Sequence, residues 1–410
     1  MPSRFLSFSF KTVNTSPKSR LHVKPLPGWL KRVPKSGIRE IFDLTQGAKD
    51  VINLSIGEPD FDTPEHIKEA AKTALDEGFT KYTPNAGIIE LREAISRKLK
   101  RENKIDTDPE TQIIVTVGAT QAVLLSLLVL LRRDEEVLIP TPGFMTFVSL
   151  VRIAGGIPKE VRVKEEDDFK VDPYDLRRKV TKKTKAIILN SPCNPTGVVL
   201  ERKNLEQIAQ VALDNDLFVI SDEIYEKFVY DGKHFSIASL DGMQERVVTV
   251  NGFSKTYCMT GWRLGYAASK WGVISEMTKL QMYNSTCPVS FVQKAAIAAL
   301  DGPHDFLPKM NHEFNERRKL ISRRLAEIDG ISFIEPRGTF YIFPNVKKFK
   351  MNSREFVRGL LSKKRVATVP GTAFGKYGEG YIRLSYAAPR NKIQVALERL
   401  EKFCGGILKR

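Results

Sequence analysis

The chain has 410 residues, 42% of them hydrophobic, enough to bury the core of an enzyme-sized unit of two domains and unlike a disordered or fibrous protein. Its net charge of +17 is uneven: of 65 Lys and Arg, nine precede the first acid, Glu40, so the remainder carries 56 basic against 48 acidic residues, which argues against a nucleic-acid-binding body. No apolar run reaches the roughly 18 residues of a membrane span, and four scattered cysteines (Cys193, Cys258, Cys287, Cys404) without a CxxC argue against a zinc site or disulfide framework and fit a reducing cytosol.

Residues 1–30 are a basic stretch rich in Ser, Phe and Pro, read as an extension without a catalytic role; a transit peptide, an arm on a partner subunit and an upstream start also fit. Residues 37–48 predict a helix and 51–56 a short strand ending at Gly57-Glu58-Pro59-Asp60. Thr63-Pro64 should open a helix to about residue 77, with Thr63 as its N-cap. Turn chemistry at residues 82–87 precedes an amphipathic helix over 88–102. From there strands near 112–117, 136–139, 186–190, 217–221 and 246–250 alternate with helices, among them one from Ala119 and one over 204–215. This predicts an α/β fold, a mainly parallel sheet sandwiched by helices, with ligands beyond the carboxyl ends of its strands. After Pro288 come long charged helices (290–299, 305–329), a strand pair near 338–343 and 381–386, and a helix from Arg390. The expected division is an extension over 1–30, a segment 31–62 joining the small domain, a large domain over 63–295 and a small α+β domain over 296–410.

Four loops at predicted strand ends carry candidate site residues. Gly118-Ala119-Thr120 is a glycine turn opening a helix, whose free N–H groups and dipole suit a phosphate. In Ser191-Pro192-Cys193-Asn194-Pro195, two prolines fix Asn194, which can bond a phenolic oxygen or a carboxylate or be an ordinary turn asparagine. The third strand end carries Asp222, with Tyr225 three residues on; a buried carboxylate needs a cation or a proton donor. Metal ligation would want more companions than Glu223, the only adjacent acid, and His312-Glu313 lacks the second histidine of a zinc helix, so no metal is expected. Ser254-Lys255 follows the fourth strand: a partly desolvated amine there can condense with a carbonyl, and Ser254 with Arg263, eight residues past the lysine, suits a phosphate monoester. Phosphate, basic ring nitrogen, phenolic oxygen and aldehyde together describe pyridoxal phosphate.

The ordered motifs SPCNPTG, SDEIYE and NGFSKTYCMTGWRLGY resemble those of class I aminotransferases, in the fold-type I group of pyridoxal-phosphate enzymes. SIGEPDFDTP, KYTPNAGIIELREAI, VPGTAFG and GYIRLSYA extend the resemblance from about Gly37 to the C-terminus, and the wording is similar to archaeal and bacterial aspartate or aromatic aminotransferases. The resemblance implies pyridoxal 5'-phosphate held by Lys255 as a Schiff base, with the same amine later moving a proton at the substrate α-carbon. It implies Asp222 on the ring nitrogen, Tyr225 and Asn194 on the phenolic oxygen, and Phe144 stacked on the ring. The phosphate would be held by Gly118, Ala119, Thr120, Ser254 and Arg263, with Tyr82 reaching over from a second subunit of a homodimer with shared sites. Arg383 would grip the substrate carboxylate, helped by Gly57 and Asn194. Amino acid and 2-oxo acid substrates follow, with an amino group passing from an aromatic amino acid or aspartate to 2-oxoglutarate through a pyridoxamine phosphate intermediate, in the cytoplasm. A carbon–sulfur lyase or an aminocyclopropane carboxylate synthase is the alternative on the same fold. Phe61, Phe144, Phe340 and Tyr341 are candidates for an apolar substrate pocket.

Overall fold

A computed structural model of the chain describes residues 27–34, 36–45 and 50–409. Most of the basic extension, up to residue 26, and the last part of the helix expected over 37–48 lie outside them. Residues 27–33 fall in a unit of their own, in which Gly28–Arg32 is a 3₁₀ turn, and the chain from Pro34 on forms a second unit.

The second unit begins with helix α1 (Gly37–Thr45) and the short strand β1 (Ile52–Asn53), followed by helices α2 (Glu65–Asp76) and α3 (Ile89–Lys98). The alternating segment comprises β2 (Ile113–Thr116), α4 (Ala119–Leu130), β3 (Glu136–Thr141), α5 (Thr146–Ile153), β4 (Ile157–Arg162), α6 (Pro173–Lys179), β5 (Thr184–Asn190), α7 (Arg202–Asp214), β6 (Phe218–Asp222), β7 (Val247–Gly252) and β8 (Gly265–Ala268). Helices α8 (Trp271–Asn284), α9 (Ser290–Asp301) and α10 (Phe306–Ala326) lead to β9 (Tyr341–Ile342), α11 (Ser353–Lys364), β10 (Val366–Ala367), β11 (Val369–Pro370), β12 (Ile382–Ser385) and α12 (Arg390–Leu408).

Strands β2 to β8 form one sheet in the order β2-β8-β7-β6-β5-β3-β4, parallel except that β8 runs against both its neighbours. Its central strands are mostly apolar because both faces are covered. Ile187, Leu189 and Val219 enter one buried cluster and Ile188 and Ile220 the other, as the two-residue period of a strand requires. Register then places the chemistry: Asn190 pairs with Asp222 and Asp222 with Val250, so β5 and β6 end level, β7 runs two residues further, and all three release their loops at one edge. A further cluster joins Ile41 and Leu54 to residues of α10, β9, α11, β10, β12 and α12, and β1 pairs with β10. Among the described residues no helix is long and apolar enough to cross a membrane.

Three local expectations change. Thr63 does not cap α2: its hydroxyl donates instead to the Cys258 carbonyl at 2.7 Å, and Pro64 holds the cap position without a side-chain bond. Strand β1 stops at Asn53 rather than residue 56, because the carbonyls of Ser55 and Gly57 turn to accept from Arg383 and Lys255. The helix expected over 88–102 ends at Lys98 and closes in a π turn, Leu99–Asn103; the side chains of Lys98 and Asn103 point into a buried group of carboxylates.

Candidate active site

The loops after β5, β6 and β7 meet α4, β9 and β12 around a cavity of about 300 Å³. Lys255, Asp222, Tyr225, Asn194, Ser254, Arg263, Arg383, Phe144, Ala119, Thr120 and Gly57 all line it.

Lys255, beyond the end of β7, is half-buried and donates from Nζ to the Gly57 carbonyl at 2.5 Å, with the Tyr225 ring centroid 5.9 Å away. Burial lowers its pKa to about 8; Arg383 and Arg263 act the same way, while Glu58 and Asp222 oppose them. A sizeable neutral fraction is therefore available near pH 8, as a nucleophilic amine needs. Glu58 is itself held by the Thr260 hydroxyl at 2.8 Å.

Asp222 ends β6 with its side chain buried, and burial lifts its carboxyl to about 7 although the Ile224 N–H donates to Oδ1 at 3.1 Å. Among the described residues no cationic side chain hydrogen-bonds to it, so it offers a buried acceptor to a protonated group entering the cavity.

The phosphate end is built around Gly118 and Arg263. Gly118 precedes α4 with φ of +79°, and a Cβ there would lie 2.6 Å from Arg263 Nη2. The space that glycine leaves is filled by the guanidinium, which also donates to the Thr260 carbonyl at 2.9 Å. Ala119 and Thr120, which open the 12-residue helix α4, line the cavity together with the buried Ser254. An anion is the ligand this arrangement suits.

Arg383 is only 1% exposed. Its Nη1 donates to Asn194 Oδ1 at 3.0 Å and Nη2 to the Ser55 carbonyl at 2.5 Å, while Nε is buried without a partner. Its guanidinium carbon lies 4.4 Å from the Tyr341 ring centroid and 5.1 Å from that of Phe374. No carboxylate among the described residues pairs with it, so this buried cation is arranged for an incoming carboxylate. Asn194 is fixed through its own N–H, which donates to Asn190 Oδ1 at 2.9 Å. The Tyr225 and Tyr341 hydroxyls are 2.8 Å apart.

Gly57 illustrates how tightly the site is packed. A Cβ on Gly57 would lie 2.5 Å from the Tyr341 hydroxyl oxygen, whereas the next ring atom is 3.5 Å away. Gly57→Ala should therefore cost about 1–3 kcal/mol, and most of that cost should vanish in a Tyr341→Phe background, where only ordinary contacts remain. Thermal melts of the four-member cycle would check this; an undiminished cost in the double variant would contradict the contact.

Pyridoxal phosphate fits the residues present: a half-buried amine, an uncompensated buried carboxyl, a glycine-made cradle beside an arginine and a buried guanidinium with a free Nε. Tyr82 does not line the cavity and stands 86% exposed on the chain's surface. Of the four aromatics expected in an apolar pocket, Phe144 and Tyr341 line the cavity. Phe340 is core, and Phe61 packs edge-on against Phe314 under Arg317. Glu223 belongs to a group apart from Asp222: its ligand atoms lie within 4.8 Å of those of Glu226 and His234. The centre is filled by an amine and an amide: Lys98 pairs with Glu226, and Asn103 donates to Glu226 at 2.8 Å and Glu223 at 3.1 Å. Burial alone would raise the Glu226 carboxyl, but Lys98, His234 and Lys227 outweigh it and hold it at about 2. Asn190 and Thr260 were not anticipated. A polar residue closing the apolar run Ile187-Ile188-Leu189 was the available signal for Asn190, and nothing local marked Thr260.

Comparison with known proteins agrees with this geometry. The family described as aminotransferase class I and II matches residues 49–400. The chain is 54% identical to an aspartate aminotransferase of Pyrococcus abyssi over 90% of its own length and 96% of the relative's. It is 51% identical to aromatic-amino-acid aminotransferase 2 of Thermococcus litoralis, over 91% and 96%. The crystal structure of an aromatic aminotransferase from Pyrococcus horikoshii superposes with a TM-score of 0.85 at 52% identity, covering 89% of this chain and 98% of that one.

Proposed function

The chain belongs to the class I and II aminotransferases, and from that premise we propose that it uses pyridoxal 5'-phosphate to move the amino group of an aromatic amino acid, and secondarily of aspartate, to 2-oxoglutarate. The observation that carries this reading is the meeting of Lys255, Asp222, Arg263 and Arg383 in one cavity. When bound, the cofactor supplies an aldehyde for the amine and a ring into which carbanion charge can spread.

The chain's residues do the rest. Arg263, Ser254 and the first turn of α4 hold the phosphate, and Phe144 covers the ring. Asp222 keeps the ring nitrogen protonated, because a buried carboxylate is stabilised by that cation and by little else nearby. Tyr225 and Asn194 donate to the ring oxygen. Arg383 takes the α-carboxylate through its guanidinium and so aims the α-hydrogen at Lys255, whose amine, once free, takes that proton and returns it.

An aromatic donor is favoured by the walls. The cations lining the cavity among the described residues are Lys255, Arg263 and Arg383, each already engaged, while Ile38, Phe144, Phe147 and Leu150 present apolar surface. A panel of donors with 2-oxoglutarate tests this: kcat/KM for tyrosine or phenylalanine should exceed that for aspartate, and the reverse order would overturn the preference. Tyrosine alone should yield its 2-oxo acid and the pyridoxamine form of the cofactor; release of other products would favour a lyase.

The working unit in this reading is a cytoplasmic homodimer in which the small domain, residues 296–410 with the Gly57 loop, closes over residues 63–295. Exposed Tyr82, Met282, Tyr283 and Val289 support a subunit interface, with Asn85 bonded to the Thr286 carbonyl at 2.7 Å. Tyr82 then reaches the other subunit's phosphate. The four free cysteines suit a reducing compartment.

A further inference from the structure

We propose that Tyr341 is a positioning residue: its hydroxyl donates to Tyr225 and strengthens Tyr225 as a donor to the cofactor's ring oxygen, while its ring braces Arg383. The inference rests on the reading above in which Tyr225 contacts that oxygen.

Strand register brings the three side chains together. Tyr341 is the direct antiparallel partner of Ser385, so Arg383, two residues along β12, is its diagonal neighbour on the same face. That places the guanidinium carbon 4.4 Å from the Tyr341 ring centroid with both residues 1% exposed, a desolvated cation–π pair. The hydroxyl at the far end of the ring lies 2.8 Å from that of Tyr225, and Gly57 backs it so closely that a Cβ there would sit 2.5 Å away.

Proton counting fixes the direction of the bond. Each phenol has one hydrogen to give. If Tyr225 gives its hydrogen to the ring oxygen, the 2.8 Å contact is satisfied only by Tyr341 donating into Tyr225. A hydroxyl that accepts a hydrogen bond becomes a stronger donor, so the two phenols act in series. Electrostatics favour the same order: burial raises the pKa of both phenols and Arg383 offsets part of that rise at each, but their mutual contact raises Tyr225 further while it lowers Tyr341. Tyr341 thus links the residue expected to bind carboxylate to the residue expected to tune the cofactor.

The test is a pH titration of the visible absorbance of protein loaded with pyridoxal 5'-phosphate, with Tyr225→Phe as reference. A stronger bond to the ring oxygen favours loss of the neighbouring imine proton, so weakening it raises the titration midpoint. Tyr341→Phe should move the midpoint up by about 0.3–1 unit, the equivalent of one neutral hydrogen bond, and Tyr225→Phe should move it further. The melting temperature of Tyr341→Phe should stay close to that of the parent. Tyr341→Leu, which also removes the ring, should weaken protection by a non-reacting monocarboxylate about 3–10-fold beyond Tyr341→Phe. A midpoint moved by Tyr225→Phe and untouched by Tyr341→Phe overturns the inference; a midpoint untouched by Tyr225→Phe overturns the reading beneath it.

Discussion

Lys255→Ala should leave a folded protein whose turnover of any amino donor with 2-oxoglutarate is lower by at least about 10⁴-fold. Positioned general acid–base catalysis alone contributes roughly 10²–10⁴-fold, and this substitution removes the covalent anchor as well. The fold should tolerate it. The amine makes one hydrogen bond, to the Gly57 carbonyl, and its pKa of about 8 shows that burial disfavours its charged form. That charged form costs the folded state below pH 8, and the cost is relieved as pH rises from there toward the ordinary lysine value, so Ala should not lower the melting temperature at neutral pH by more than a few degrees. Initial rates and thermal melts of the purified variant check both halves. Activity within tenfold of the parent would mean that another group carries the chemistry.

How much of this site is legible in the sequence depends on whether the controlling contact is local. Lys255, Asp222 and Asn194 were legible because each stands where an apolar β run breaks into a loop, and a parallel sheet gathers such breaks at one edge. The register that sets Asn190 beside Asp222 and Asp222 beside Val250 was not legible, yet it makes them converge. Arg383 is legible through family resemblance alone, since an arginine on a strand is ordinarily at the surface. It is buried because a carbonyl at Ser55, an amide oxygen at Asn194 and a ring at Tyr341 surround it, all distant in sequence. Distance in sequence also explains the misses. Thr63 would cap α2 by local rules but is captured by a carbonyl 195 residues away, and Glu223 finds Asn103 from 120 residues away. Strand β8, Gly-Tyr-Ala-Ala, carries little β-propensity and forms because β2 and β7 pair with it on both sides.

Asp222→Asn should move stability and catalysis in opposite directions. Burial holds the carboxyl at about 7, above its unfolded value of roughly 3.9, so between those pH values the folded chain retains a proton that the unfolded chain has released. Ionising the buried group then costs the folded state, and the cost grows through that window to reach its full size above pH 7. Asparagine keeps an oxygen for the Ile224 N–H and has nothing to ionise. The cofactor-free variant should therefore be more stable than its parent at pH 8, by on the order of a few kcal/mol, and the advantage should fade as pH falls toward 4. Catalysis should fall by about 10³-fold, because a neutral amide cannot hold a proton on the ring nitrogen and the charge that develops at the α-carbon loses its electrostatic support. Melts of cofactor-free protein from pH 4 to 8, set beside steady-state rates of the loaded enzyme, measure both. If the variant were less stable than the parent at pH 8, the carboxylate would have a compensating partner in the folded chain, and the argument that it waits for a cation from the ligand would fail. If stability rose and the rate held, Asp222 would be a buried charge without a part in the reaction, and the ring nitrogen would need another anchor.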